Sequence, residues 1–104
     1  MRVRGRRARV GPVTVVYLPA DPDDRRVRLA FAIGRRVGSA VVRNRLRRRA
    51  RAVVSDLVRS RGIPPGAYLV IVAPDAAQWP FSRLAETVAV GVHQAARAGE
   101  RTRP

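Results

Sequence analysis

The stretch from Ala40 to Arg61 constrains this chain more than any other, because it superimposes a helical apolar repeat on eight arginines and one acid, Asp56. At about 100° per residue, Val42, Leu46, Ala50, Val53 and Leu57 fall in one stripe that should pack on a sheet. Asn44, Arg47, Arg48 and Arg51 lie opposite, with Arg59 farther along. Arg43 and Arg49 flank the seam, and Arg45 sits on a shoulder. Ser39 is the expected N-cap and Gly62 the expected C′ residue, while Pro64 and Pro65 prevent continuation. Like charges three and four residues apart destabilise an isolated helix. A solvated face normally interleaves signs; this one does not, so it reads as a surface for phosphates.

The lead-in to that helix, Gly34-Arg35-Arg36-Val37-Gly38-Ser39, adds a second device. It sets backbone N–H groups and the positive end of the helix dipole beside Arg35 and Arg36, an arrangement that suits an anion. The two glycines equally serve the strand-to-helix turn, and the two readings are compatible.

Charge over the whole chain says the same. Among 104 residues, 22 basic less 7 acidic gives +15, with a pI near 12, and every basic residue is arginine. Such a surplus repels itself in the free protein and attracts polyanions, with nucleic acid the leading candidate. Arginine and alanine richness is also what a G+C-rich genome writes. Arginine nevertheless stays charged at any relevant pH and presents a planar fork to phosphate oxygens. The length suits one compact domain, taken here as residues 1–104, and 46% apolar content supplies a core. Without cysteine there can be neither disulfides nor thiolate metal sites. No run approaches the roughly 18 apolar residues of a membrane span, and no secretory signal is visible. The expectation is a cytoplasmic protein with no membrane association.

Around the helix the chain reads as alternating elements. Residues 1–11 form a basic arm, and 99–104 a disordered tail. Val13–Leu18, β-branched and apolar on both faces, predicts a strand covered on two sides. Val27–Ile33 alternates, predicting a second strand antiparallel to the first. Between them, the turn from Pro19 to Asp24 concentrates three acids. Ala67–Ala73 predicts a third strand, near-continuously apolar. A last helix, capped by Ser82 and running to about Ala98, presents Phe81, Leu84, Ala85, Val88, Val92 and Ala95 on one face. Gly91 interrupts it at a cost of about 1 kcal/mol of propensity.

The segment from Arg35 to Arg48 resembles the signature of the ribonuclease P protein component: two basic residues, a small apolar one, Gly, then Ala-Val, a variable position, Arg-Asn-Arg and a further basic pair. A bare Arg-Asn-Arg has no specificity; the spaced pattern after a strand and opening a helix does. The likeness extends from about Gly5, where Gly5-Arg6-Arg7 looks like the turn before the family's first strand, to about residue 98. Ala67–Pro74 looks like its later apolar strand.

The resemblance implies an α+β fold, a single-layer, mostly antiparallel sheet packed by helices. This is the ribonuclease P protein-like (ribosomal protein domain-2-like) sandwich, with a left-handed βαβ crossover that departs from the usual hand. It implies a protein subunit that binds the catalytic RNA of ribonuclease P and the 5′ leader of precursor tRNA. The RNA would perform the hydrolysis with its own bound Mg2+; the protein would hold no cofactor and need no obligate protein partner. Carried over, Arg35, Arg36, Arg43, Asn44, Arg45, Arg47, Arg48 and Arg51 face RNA, and Tyr17 matches an aromatic position of the leader cleft. Members begin with a short aromatic-bearing helix before the glycine-arginine turn. The sequence starts almost at that turn, so the expectation is that this helix is missing or that Met1 is an internal start.

Other residues offer little chemistry. His93 neighbours the apolar face of the last helix and reads as packing or surface rather than catalysis. Paired carboxylates for two metals are not evident. Trp79 and Phe81 beside Pro80 fit a stacking platform for bases or, more commonly, a plug at the end of a small core. A ribosomal or RNA-chaperone protein would share the charge but need not show the spaced signature. A DNA-binding regulator would need a preceding helix and short turn for its docking, which are lacking.

Overall fold

The computed structural model describes residues 6–101. Four strands, β1 (Arg6–Val10), β2 (Val13–Pro19), β3 (Val27–Ile33) and β4 (Gly66–Val72), form one sheet in the order β1-β2-β4-β3. Two long helices, α1 (Ala40–Arg61) and α2 (Phe81–Arg101), accompany it, each preceded by a 3₁₀ turn, Arg35–Val37 and Pro74–Gln78. β1 pairs antiparallel with β2, β2 antiparallel with β4, and β3 parallel with β4. This is the expected α+β architecture, with α1 as the crossover between the two parallel strands.

The strand order follows from composition. β4, Gly-Ala-Tyr-Leu-Val-Ile-Val, bears no charge and is paired on both sides. The edges are β1, with Arg6, Arg7 and Arg9, and β3, with Arg28, and edge charges discourage pairing with another chain. β3 therefore runs opposite to β2 but does not neighbour it, because β4 is inserted between them.

One sheet face carries the core. Val13, Val15 and Tyr17 of β2, Tyr68, Val70 and Val72 of β4, and Ile33 of β3 are buried beneath the helices. α2 packs over β1 and β2, and α1 packs against α2 and approaches β3. The expectation that β2 is covered on two sides is corrected here. Both helices lie on the same face, leaving Leu18 45% and Leu69 37% exposed on the other. The basic arm is corrected as well. Arg6–Val10 is a strand whose burial alternates, with Ala8 packed against the core; the arginines had masked a period of two. The arm's first residues, including Arg2 and Arg4, lie outside the described residues.

Helix ends fall largely where the residues place them. Ser39 accepts a hydrogen bond from the Val42 N–H at 3.2 Å, and Gly62 closes α1 in the left-handed region with its N–H on the Leu57 carbonyl. The α2 expectations need two corrections. The helix begins at Phe81, so Ser82 lies inside its first turn, and it runs to Arg101 rather than ending near Ala98. The tail beyond, residues 102–104, lies outside the described residues. The face Leu84, Ala85, Val88, Val92 and Ala95 is buried as expected.

Gly91 has a packing reason. A Cβ there would stand 2.8 Å from Cγ2 of Val15, a short and buried side chain. Gly91 lets α2 settle on β2. Gly91→Ala should therefore lower stability by about 1 kcal/mol, because overpacking at 1–3 kcal/mol outweighs about 1 kcal/mol of helix propensity. Thermal denaturation should show a fall of roughly 4–8 °C; a rise would refute the close approach.

Candidate nucleic-acid interface

The sheet register decides where the charge collects. Val10, Val13, Val72 and Ile33 align at one end of the sheet. Three connections therefore share that end: the Gly11-Pro12 turn, the Gly34–Ser39 lead-in and the Ala73–Pro80 loop. The N-termini of both helices point there, adding two positive dipole ends. The turn with Asp21, Asp23 and Asp24 lies at the opposite end, next to Pro19, Gly66 and Val27. Its Asp24 is engaged locally. A side-chain hydrogen bond from Arg26, then one from the Arg26 backbone N–H, hold its carboxyl down at about 2, and Arg28 lies 3.7 Å away.

On α1 the buried line is Leu46, Ala50 and Val54, with Val53 and Leu57 half-buried. The expected stripe is thus rotated by a fraction of a turn, and Val42 remains 40% exposed. The rotation moves Arg47 from the outer face to the margin, half-buried, where its guanidinium donates to Asn44 Oδ1 at 2.9 Å. Arg43, also half-buried, turns back and donates through Nε to the Gly38 carbonyl at 3.3 Å. Arg43 thereby joins Arg35 and Arg36, both exposed, at the mouth of α1. Asn44, Arg45, Arg48, Arg49 and Arg51 are exposed.

Two of these arginines are placed by aromatic rings. The Arg45 guanidinium lies 4.8 Å from the Phe81 ring centre, bridging α1 to the start of α2. That of Arg51 lies 5.2 Å from Phe31 on β3. Among the described residues, ion pairs join Arg26 and Arg28 to Asp24, and Arg59 to Asp56. Six α1 arginines, at 43, 45, 47, 48, 49 and 51, thus have no carboxylate partner among them. Their positive charge is uncompensated within the fold, which is the electrostatic condition for gripping a polyanion.

Beside this ridge, α1 stands off from β3 and leaves an open groove of about 540 Å³. Its floor is apolar, with Val27, Leu29, Val54 and Val58, and Arg25, Arg51 and Arg59 rim it. The sequence offered no sign of this groove, since Arg25 and Arg59 meet only through the crossover. Tyr17 is 5% exposed, stacked on Tyr68 at 4.6 Å, and its hydroxyl donates to the Pro65 carbonyl at 2.8 Å. It lines a smaller pocket of about 280 Å³ that shares Arg25 with the groove.

No group of three or more His, Cys, Asp or Glu stands together to hold a metal among the described residues. His93, half-buried on α2, has a buried Nδ1 without a hydrogen-bond partner there. No described helix is long and apolar enough to cross a membrane.

Comparison with known proteins agrees with the arginine helix. The Ribonuclease P family model matches residues 2–96. The chain is 42% identical over 95 residues to the ribonuclease P protein component of Clavibacter michiganensis, covering 90% of this chain and 81% of that one. It is 45% identical over 84 residues to that of Acidothermus cellulolyticus, covering 79% and 68%. In fold it is similar to the RNase P protein of Staphylococcus aureus, with a TM-score of 0.73 at 19% identity over 91% of this chain and 84% of that one. The RNase P protein of Thermotoga maritima gives 0.66 at 19% identity over 89% and 85%. A family pattern that spans residues 2–96, and relatives of the same name at up to 45% identity, place this protein in the ribonuclease P protein component family.

Proposed function

We propose that the chain is the protein subunit of ribonuclease P. It binds the catalytic RNA and the 5′ leader of precursor tRNA, and assists the RNA-catalysed endonucleolytic cut that leaves the mature tRNA 5′ end. The observation that carries this reading is the set of six α1 arginines with no carboxylate partner among the described residues. Arg35, Arg36 and Arg43 gather at the mouth of α1, where N–H groups and the helix dipole also favour phosphate. Asn44, Arg45, Arg48 and Arg51 extend the contact along the helix, and Asn44 holds Arg47 in place. The RNA scaffold occupies this ridge.

The leader follows the groove between α1 and β3, whose apolar floor and arginine rim suit a single strand with its phosphates outward. Tyr17 sits at the end of that path, beside Arg25. Magnesium ions held by the RNA subunit would supply the activated water and the stabilisation of the leaving oxygen. This chain's contribution is cationic. Its guanidinium groups relieve repulsion between RNA subunit and substrate, so that fewer free cations are needed for productive binding.

Reconstitution tests the reading. Added to its cognate RNA subunit at low magnesium, the chain should raise precursor tRNA cleavage by at least about tenfold, since each closely paired phosphate adds to binding in this way. The gain should shrink as magnesium is raised. Cleavage indifferent to the protein at every magnesium concentration would overturn the proposal.

A further inference from the structure

We infer that Trp79 and Arg83 form a second RNA-binding feature, a stacking step for one unpaired nucleobase at the cationic end of the sheet. The inference rests on the RNA-binding reading above and extends it to a different chemistry, base stacking rather than phosphate contact.

Trp79 closes the second 3₁₀ turn and lies against the Gly11 turn. Gly11 adopts φ +56, and a Cβ there would stand 2.6 Å from Cη2 and 2.9 Å from Cζ2 of the indole. The backbone is thus shaped to seat a large ring, which half-buries it against the core. The Arg83 guanidinium lies over that ring, 4.3 Å from its centre. Arg9 leans on the same turn, its Nε donating to the Gly11 carbonyl at 3.4 Å.

A core plug accounts for the buried part of the indole. It does not account for the cations around it, since neither Arg9 nor Arg83 is in an ion pair among the described residues. The acid of this loop, Asp75, lies on the 3₁₀ turn and pairs with neither. An indole with a guanidinium over its ring combines a π face with positive charge, the combination on which nucleobases stack. When a base arrives it takes the indole face beside the Arg83 guanidinium, while Arg9 turns to the flanking phosphate.

The position favours RNA over other partners. The two 3₁₀ turns pack on one another, so Trp79 follows directly from the loop that faces Arg35 and Arg36. Phe81, two residues on, carries Arg45 of the α1 ridge. A strand held by the ridge can therefore continue past Arg45 and Phe81 to Arg83 and Trp79.

Trp79 is the sole tryptophan, so the full chain carries its own reporter. It is titrated at low salt with a fluorescently labelled adenylate octamer of RNA, with indole emission and label anisotropy followed together. Stacking should quench the emission by roughly half, saturating at the same octamer concentration as the anisotropy. An abasic octamer of equal charge should bind with little quenching. The exposed change Arg83→Gln should weaken the adenylate octamer about 3- to 10-fold, and the abasic octamer by a smaller factor, with near-ultraviolet dichroism unchanged. Bound RNA with unaltered emission, or equal quenching by the abasic strand, would sink the stacking step and leave the subunit assignment standing. Absence of any octamer binding, or equal quenching by a glutamate octapeptide, would also overturn it, the latter by pointing to a protein partner.

Discussion

Arg48→Glu combined with Arg51→Glu should weaken binding of the RNA subunit by roughly 100- to 1,000-fold at physiological salt, while the melting temperature moves by no more than a few degrees. Each replacement removes a charge-assisted hydrogen bond, worth about 1.5–3 kcal/mol, and sets a repelling charge in its place. At exposed positions the lower end applies, about 1.5–2 kcal/mol each, and two such losses give the stated range. Both side chains are exposed, so folding loses little. Arg48 has no ion pair among the described residues, and Arg51 gives up only its stacking on Phe31, about 0.5–1 kcal/mol at an exposed site. Relief of like-charge repulsion along α1 offsets part of that. The dependence of log K on log salt should flatten by about one for each phosphate that is no longer neutralised. Filter binding across a salt series, beside a thermal melt, checks both halves. Parallel losses of binding and stability would show that the ridge serves folding.

Leu46→Ala, two residues from Arg48, should do the opposite. Leu46 is 1% exposed, within the core that joins α1 to α2 and the sheet. Removing its branched end costs transfer energy and leaves a cavity, about 2–5 kcal/mol in all. Domains of this size are stable by only about 5–15 kcal/mol. The melting temperature should fall by roughly 10–25 °C, yet RNA affinity measured well below that transition should stay within about threefold, since no guanidinium has moved. A stability loss under about 1 kcal/mol would mean that the site is not packed. The paired variants separate fold from function along one turn of one helix.

Legibility along this chain was uneven for physical reasons. α1 was readable from end to end because its signals are local: a serine oxygen reaching the Val42 N–H, and a glycine able to turn left-handed after Arg61. The face of α2 was readable because five small and branched residues recur at helical spacing. β1 was not, since Arg6, Arg7 and Arg9 dominate a five-residue strand whose apolar half is only Ala8 and Val10. The rotation of α1 was also hidden. The wheel takes Val42 into the apolar stripe and leaves Val54 out, and only the packed fold decides that Val54 is buried and Val42 is not. The Trp79–Arg83 pair did have a signal, an aromatic four residues before an arginine at a helix start. Nothing local announced that Gly11 would lie beneath it.

The residues alone settled that the chain is strongly cationic, that it combines strands with helices, and which helix carries the charge. Periodicity, caps and net charge depend on near neighbours and survive in any fold that keeps the helix. The tertiary structure decided where the charges meet. β4 inserts between β2 and β3, and that register brings the Gly11 turn, the Arg35–Arg36 loop and both helix N-termini to one end of the sheet, with the acidic turn at the other. Such long-range alignment is set by strand pairing and burial summed over the whole chain, and no short stretch of sequence contains it.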